Sequence, residues 1–321
     1  MTNIDEIFKV GNTAVITGAS SGIGRTSAIE CAQKGMNVWL LDKDIDELIK
    51  VREYIKSKMV DIYPHQVIKE VGSDVSQEVS MVTAAHTVFG DPSTTSVHFL
   101  MNNAAMSIGG DAINTSMDDF DTMMKTNLYG CIHSCKYFVP IMKEKNEPGI
   151  IVNTGSKQGI TTPPGNLTYN VTKSALKTWT EGFEHDLMMD RFQNGGKLRA
   201  ALLVPGWTNT SIKLKEMRDR AKVEGSETFD YDAMKAIISN EENPADGAWM
   251  PKQVFDYMMK ELKEGSFYII CPDNEVDSKT DKIRMTWAMQ DVTENRPPLS
   301  RWHPEWKLKF EKYKISQTKL N

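Results

Sequence analysis

The chain has 321 residues, of which 40% are hydrophobic and 25% charged, an ordinary composition for a globular protein. Its formal net charge of −5 argues against a nucleic-acid partner and against electrostatic attachment to a membrane. The apolar runs are too short to span a bilayer, and the N-terminal segment lacks the features of a secretory signal, so we expect a cytoplasmic protein.

Short apolar runs rich in β-formers alternate with longer segments of helical period along the chain. The strand candidates are TAVITG, NVWLLD, QVIKEV, VHFLMNNA, GIIVNTGS, LRAALLVPG and SFYIICPD. The predicted helices cover residues 22–34, 45–59, 78–89, 117–144, 168–192 and 251–263. This alternation is typical of a parallel sheet with helices on both faces, so we predict a doubly wound α/β fold. We predict one domain over 1–275 and a C-terminal extension over 276–321.

The residues directly after each strand are the candidates for a site, because ligands of such sheets bind at the carboxyl ends of the strands. The first strand is followed by GASSGIG, in which Gly18, Gly22 and Gly24 permit a tight turn and a close approach of backbone to a phosphate. The next helix would offer free N–H groups to a pyrophosphate. The spacing GxxxGxG differs from the common GxGxxG fingerprint, so a turn that merely needs glycine is the alternative interpretation.

Asp42 ends the second predicted strand, twenty residues after Gly22. A carboxylate there can accept hydrogen bonds from the adenosine-ribose hydroxyls and repel a 2′-phosphate, which favours NAD over NADP. NADP stays possible, because Arg25 and Lys43 are close enough in sequence to bind a phosphate. Alternatively, Asp42 only caps the next helix, a role for which Asp44 is equally placed.

Three polar residues follow the fifth strand: Ser156, Tyr169 thirteen residues later, and Lys173 one helical turn beyond. That spacing makes Tyr169 and Lys173 neighbours on a helix, and an ordinary helix face is the plain interpretation. A phenol, with a pKa near ~10, is poorly suited to proton transfer at neutral pH. An ammonium ~5 Å away favours the phenolate by ~3 kcal/mol at an effective dielectric of ~20. We therefore expect Lys173 to lower the pKa of Tyr169 by about two units.

These segments, in this order, resemble the short-chain dehydrogenase/reductase family, in the branch marked by TGxxxGxG and YxxxK. The matching segments run from about residue 10 to 210 and are TGASSGIG, DV at 74–75, NNAA at 102–105, Asn127 in KTNLYG, Ser156, YNVTK and PGWTNT. The resemblance implies a Rossmann-like sheet of about seven strands and hydride transfer between NAD or NADP and a secondary alcohol or ketone. It also implies a substrate loop and helix over about 207–264, and a homodimer or homotetramer.

The resemblance assigns roles to single residues. Tyr169 would exchange a proton with the substrate, Ser156 would orient the substrate oxygen, and Lys173 would bind the nicotinamide ribose. Asn127 would hold a water of a proton relay. The cofactor-binding residues that it implies are Gly18, Ser20, Ser21, Gly22, Ile23, Gly24, Asp42, Asp74, Val75, Asn103, Ala104, Ala105, Tyr169, Lys173, Pro205, Gly206, Thr208 and Thr210.

Some residues near these motifs carry weaker expectations. Ala105 stands where the family usually has glycine, so we expect a backbone conformation that glycine takes more easily. Met106, Gln158 and Trp207 are predicted from their position to line the substrate pocket, although Trp207 could instead only pack its loop. Lys157 either points to solvent or takes part in the site.

The extension beyond 275 is absent from the family's usual, shorter chain. Its residues Trp287, Trp302, His303 and Trp306 favour a lid over the pocket, a subunit contact, or both. The four cysteines are expected to pack as buried thiols, and no metal site is predicted. Two other functions stay open: a dinucleotide-bound regulatory or scaffold protein without turnover, and an enzyme of this fold that reduces a C=C bond or epimerises.

Overall fold

A computed structural model of the protein describes residues 3–59, 63–212 and 246–319. These residues form a seven-stranded sheet of order β3-β2-β1-β4-β5-β6-β7, in which all neighbours are parallel. The strands are β1 (Thr13–Thr17), β2 (Asn37–Asp42), β3 (Ile68–Gly72), β4 (Phe99–Asn102), β5 (Gly149–Thr154), β6 (Leu198–Val204) and β7 (Tyr268–Ile270). The predicted doubly wound fold is confirmed, although several strands end earlier than their apolar runs.

The strand order reverses between β1 and β4, because β2 and β3 lie on one side of β1 and the later strands on the other. A sheet that reverses in this way opens a crevice at the carboxyl ends of its central strands. The segments after β1, β4 and β5 therefore meet at one edge of the sheet. The polar motifs of the sequence follow these strands.

Helices cover both faces of the sheet. They are α1 (Ile4–Ile7), α2 (Gly22–Gln33), α3 (Ile45–Met59), α4 (Glu78–Gly90), α5 (Met117–Met124), α6 (Gly130–Lys145), α7 (Gln158–Thr161), α8 (Leu167–Asn194), α9 (Pro251–Lys263), α10 (Ser278–Thr293) and α11 (Lys307–Lys319). Except for the segment 117–144, the predicted helices agree with these bounds within two residues, but α1, α7, α10 and α11 were not predicted. In the described ranges, no helix is both long and apolar enough to cross a membrane.

The predicted single helix over 117–144 is wrong in one detail, because a π-helical turn, Lys125–Tyr129, separates α5 from α6. Asn127 is buried in this turn, and its side chain binds both backbone groups of Met106. Its Oδ1 accepts from Met106 N at 2.8 Å, and its Nδ2 donates to Met106 O at 2.9 Å. A π-helical turn of five residues hardly changes the spacing of apolar residues along the chain. The sequence periodicity therefore cannot reveal this turn.

The sheet separates two apolar cores. Alternate strand residues point to opposite faces, so Val15 lies in one core and its neighbour Ile16 in the other. Helices α2, α3 and α9 close the core around Ile16, and α4, α6 and α8 close the core around Val15. Each fully buried large side chain stabilises the fold by roughly 1.5–3 kcal/mol, and together they fix the strand ends that carry the site.

The C-terminal extension forms a small aromatic core centred on Trp287, which is 4% exposed. The Trp287 indole Nε1 donates to Ser300 Oγ at 2.7 Å. Three aromatic rings lie 5.0–6.4 Å from the Trp287 ring, those of Trp306, Phe310 and Tyr313. Trp287 and Trp306 thus hold the extension together, a role that the sequence did not predict. Helix α10 also contacts α7, which follows Ser156 in the chain.

The described ranges contain neither a disulfide bond nor a cluster of side chains suited to a metal ion. The four cysteines are unpaired and buried, and burial raises the pKa of the Cys271 thiol to about 12. No three His, Cys, Asp or Glu side chains among the residues described approach one another as they would around a metal ion.

Candidate active site

The structure brings Ser156, Tyr169 and Lys173 together at the carboxyl edge of the sheet. Ser156 lies two residues beyond the end of β5, and the first two turns of α8 carry Tyr169 and Lys173. The Ser156 side chain lies near enough to the Tyr169 phenol to lower its pKa. The Lys173 Nζ lies 5.7 Å from the centroid of the Tyr169 ring. The helical spacing therefore places the two side chains side by side, as predicted from the sequence.

Lys173 is held in a buried position by the backbone of β5. Its side chain donates from Nζ to Thr154 O at 2.7 Å, and the residue is 2% exposed. Helix α7 can approach α8 at this point because residue 159 is glycine. A Cβ on Gly159 would lie 2.6 Å from the backbone carbon of Lys173. Packing thus fixes the ammonium beneath the phenol.

Burial, and not charge, sets the ionisation of this pair in the protein alone. It raises the pKa of Tyr169 to about 12, and the nearby Ser156 side chain offsets this rise only in part. It also lowers the pKa of Lys173 to about 8. The predicted lowering of the Tyr169 pKa is therefore wrong for the protein without cofactor. The reason is that burial penalises the charged phenolate more than any neighbouring group favours it.

The glycine-rich turn after β1 has the shape that a bound phosphate requires. Gly18 and Gly22 have φ of +68° and +55°, which favour glycine. A Cβ on Gly24 would lie 2.6 Å from Asn103 Nδ2 and closer still to Gly18 O. Ser21, the N-cap of α2, makes no side-chain capping bond, and the first turn of α2 contains no acidic residue. The N-terminal amides of this helix can therefore receive an anion.

Asp42 stands beside this turn and does not cap α3. Its Oδ2 accepts from Ser20 Oγ at 2.7 Å and from Ser20 N at 3.3 Å. The capping role belongs to Asp44, whose Oδ1 accepts from Glu47 N at 3.2 Å. The alternative interpretation of Asp42 as a helix cap is therefore wrong. Its carboxylate lies at the carboxyl end of β2, next to the expected dinucleotide.

The NNAA segment after β4 is anchored by Thr17, a residue that the sequence reasoning missed. Thr17 Oγ1 accepts from Asn103 N at 3.0 Å and from Ala104 N at 3.2 Å. Thr17 directly precedes Gly18 in the glycine-rich motif, and this position is the signal that could have identified it. Ala105 does not have a positive φ, so the expectation of a glycine-like conformation there was wrong. The segment takes a shape that alanine adopts without strain.

The DV segment after β3 is held against α6. A Cβ on Gly130 would lie 2.6 Å from Val75 Cγ2, so only glycine permits this packing. Asp74 Oδ1 accepts from Ser76 N at 2.9 Å, which forms the turn that leads to α4. Both predicted residues therefore lie at the carboxyl end of β3.

The PGWTNT segment after β6 reaches the glycine-rich turn. A Cβ on Gly22 would lie 3.0 Å from Thr210 Cγ2. Thr208 pairs with Trp249 in an isolated parallel bridge, which fixes the path of the segment. Pro205 is buried, and Gly206 and Thr208 are partly buried. The segment therefore packs against the first residue of α2.

The three predicted pocket residues differ in their surroundings. Gln158 donates from its backbone N to Ser156 Oγ at 3.2 Å, and its Oε1 is buried with no hydrogen-bond partner among the residues described. The backbone of Met106 is held by Asn127, whose Nδ2 also donates to Thr172 Oγ1 at 3.1 Å. Trp207 is 44% exposed. Residues 213–245 of the predicted substrate loop and helix lie outside the described residues.

Lys157 does not point to solvent. Its side chain is 13% exposed, and Nζ lies 2.6 Å from Asp281 Oδ2 and 3.1 Å from Asp273 Oδ2. Both carboxylates come from segments more than a hundred residues later in the chain, so no local pattern could reveal them.

The known proteins that this chain resembles agree with the arrangement of the site. The family model described as short chain dehydrogenase matches residues 12–221, more than half of the chain. The putative oxidoreductase SadH of Mycobacterium tuberculosis (strain CDC 1551 / Oshkosh) is 27% identical over 202 residues, which are 63% of this chain and 68% of the relative.

Solved structures extend the likeness beyond the residues matched by the family model. A short chain dehydrogenase/reductase from Burkholderia phymatum in complex with NAD has a TM-score of 0.73 and 27% identity, over 91% of this chain and 97% of that one. An alcohol dehydrogenase from Thermococcus sibiricus, complexed with 5-hydroxy-NADP, has a TM-score of 0.60 and 21% identity, over 78% and 90% of the two chains, and shows the shared fold. The chain therefore belongs to the short-chain dehydrogenase/reductase family of oxidoreductases.

Proposed function

We propose that the protein interconverts a secondary alcohol and a ketone by direct hydride transfer, with NAD as its preferred cofactor. The observation that supports this most is the grouping of Ser156, Tyr169 and Lys173 at the carboxyl edge of the sheet, with the amine buried beside the phenol. A protein that only binds a dinucleotide has no need for a phenol beside a buried amine at this edge of the sheet.

In the proposed mechanism, Ser156 and Tyr169 both bind the oxygen of a ketone. Tyr169 is protonated at neutral pH, since burial raises its pKa to about 12. It can therefore donate its proton to the oxygen as the carbonyl carbon gains a hydride. In oxidation the same atoms move in reverse: Tyr169, once it has lost its own proton, accepts the hydroxyl proton of the alcohol, and a hydride leaves the carbinol carbon. The cofactor, when bound, supplies or accepts that hydride.

Lys173 and Asn127 support the acid/base residue in this proposal. Lys173 would hold the hydroxyls of the nicotinamide ribose, and its pKa of about 8 lets it exchange protons near neutral pH. Asn127 lies in the π-helical turn next to Thr172, one residue before Lys173. We infer that this turn holds a water through which Lys173 regains its proton.

The preference for NAD depends on Asp42. Its carboxylate lies beside Ser20 in the turn, where it would accept hydrogen bonds from the adenosine-ribose hydroxyls and repel a 2′-phosphate. The Burkholderia relative binds NAD, and the Thermococcus enzyme is complexed with an NADP derivative, so the family alone does not decide. The phosphates would lie on the N-terminal amides of α2, next to Gly22.

The test is an assay of wild type and Tyr169→Phe with a panel of secondary alcohols and ketones, using NAD and NADP at equal concentration. General acid–base catalysis contributes about 10²–10⁴-fold, so we expect Tyr169→Phe to lose that factor in kcat while it still binds NAD. Tyr54→Phe, at a half-exposed position of α3, is the matched control and should keep full activity. An unchanged rate in Tyr169→Phe would refute the mechanism, and a preference for NADP would refute the role of Asp42.

A further inference from the structure

Lys157, the residue after Ser156, is bound by two carboxylates in the interior. Its Nζ lies 2.6 Å from Asp281 Oδ2 and 3.1 Å from Asp273 Oδ2. The side chains of Lys157, Asp273 and Asp281 are 13%, 6% and 3% exposed. Removing these charges from water is costly, so such a cluster is weak evidence for stability alone. A role in placing the surrounding backbone explains it better.

Asp273 connects this cluster to the PGWTNT segment. Its Oδ2 accepts a hydrogen bond from Trp207 N at 3.1 Å, while its Oδ1 accepts from Val276 N at 2.8 Å. The backbone of Gly206 packs directly on the ion pair. A Cβ there would lie 2.8 Å from Lys157 Nζ and closer still to Asp273 Oδ2. The position of Gly206 and Trp207 is therefore fixed by this carboxylate.

Asp281 connects the same cluster to the C-terminal extension. It lies in the first turn of α10, and α10 also contacts α7, which begins two residues after Ser156. Three separate segments thus meet at one ammonium group: the residue after Ser156, the loop after β7 and the extension.

We propose that Lys157, Asp273 and Asp281 form a positioning cluster that sets the Gly206–Trp207 backbone at a fixed distance from Ser156. This inference rests on the proposed function, in which Ser156 binds the substrate oxygen and the PGWTNT segment binds the nicotinamide. Hydride transfer needs its reacting atoms about 3–3.5 Å apart, and a displacement of about 1 Å can cost 10²-fold in rate. Through Asp281, the extension contributes to the site without contacting the substrate.

The experiment compares two ligands in Lys157→Met: NAD, and ADP-ribose, which lacks only the nicotinamide. Each affinity is measured by calorimetry, and kcat is measured with the best substrate of the panel. We expect ADP-ribose to bind within about twofold of wild type, NAD to bind more weakly, and kcat to fall about 10–100-fold. Lys50→Met removes an exposed lysine that pairs with Glu47 at 2.7 Å, and should change none of the three values.

Two results would overturn the proposal. One is an equal loss of NAD and ADP-ribose affinity in Lys157→Met, which would mean general damage to the fold. The other is an NAD affinity and a kcat in this variant that both equal those of wild type. Asp281→Asn keeps the pair between Lys157 and Asp273, and should change the same values in the same direction by a smaller factor. If Lys157→Met does not fold, the same measurements on Asp281→Asn test the proposal. If the protein proves to have no turnover, the proposed function fails, but the two affinities still test the cluster.

Discussion

Tyr169, a partly buried residue, is the one on which the chemistry depends. Because burial raises its pKa to about 12, it keeps its proton throughout the neutral range and is an acid in the protein alone. That state suits ketone reduction, where a proton must be given. For alcohol oxidation the hydroxyl must lose its proton, so we infer that the positive charge of an oxidised nicotinamide is needed to favour the phenolate.

This ionisation state gives a direct prediction. A raised pKa means that the proton stays bound above the ordinary pKa of tyrosine, near ~10. The ultraviolet absorbance of phenolate, measured as wild type minus Tyr169→Phe without cofactor, should therefore stay flat up to pH 10. An ionisation centred below about pH 9 would mean that Lys173 lowers the pKa as the sequence argument expected.

At the residue scale, the sequence predicts local neighbours well and buried surroundings poorly. Four residues of helix are enough to place Lys173 beside Tyr169. The sign of the pKa shift depends on burial by other segments, which spacing does not reveal. Lys157 is the clearer case, since its partners Asp273 and Asp281 become neighbours only when the last strand and the extension have folded.

Among the elements, the turn between β1 and α2 depends most strictly on glycine. Gly24→Ala should destabilise the fold by about 1–3 kcal/mol and abolish NAD binding, since its Cβ has no room between Asn103 Nδ2 and Gly18 O. The measurement is denaturant unfolding together with calorimetry. Gly182→Ala in α8 is the control, because its added Cβ would meet no atom within 4 Å apart from the adjoining residues and nearby backbone of its own helix, and it should stabilise the helix by roughly 0.5–1 kcal/mol. A Gly24→Ala protein that binds NAD normally would contradict this account of the turn.

The helices also show which elements the apolar periodicity of the sequence can predict and which it cannot. The apolar patterns predicted the main helices within two residues, since each buries one face against the sheet. They did not predict the π-helical turn at Lys125–Tyr129, in which Asn127 accepts one hydrogen bond from the Met106 backbone and donates one to it. Short helices such as α7 show too few residues for a period to appear.

For the whole molecule, strand–helix alternation was sufficient to predict a doubly wound parallel sheet, because parallel neighbours require long crossovers. The extension could not be predicted in the same way, since its aromatic residues fit a lid, a subunit contact or a small core equally well. The structure shows the small core around Trp287. Assembly into a homodimer or homotetramer stays a prediction.

The aromatic core gives a test of how the extension is attached. Trp287→Ala should lower the free energy of unfolding by about 3–5 kcal/mol, as expected for a buried tryptophan. It should also lower kcat, because α10 carries Asp281. Trp207→Ala, at a position 44% exposed, is the stability control and should cost less than about 1 kcal/mol. Unfolding and kcat both unchanged in Trp287→Ala would mean that the extension does not support the site.

The most direct test follows the transferred hydrogen in a single turnover of NADH deuterated at C4 of the nicotinamide with a ketone substrate. Direct hydride transfer predicts deuterium on the carbinol carbon of the product, with Tyr169→Phe giving the same labelled position about 10²–10⁴-fold more slowly. Deuterium on any carbon other than the carbinol carbon, or a Tyr169→Phe rate equal to wild type, would contradict the proposed reaction.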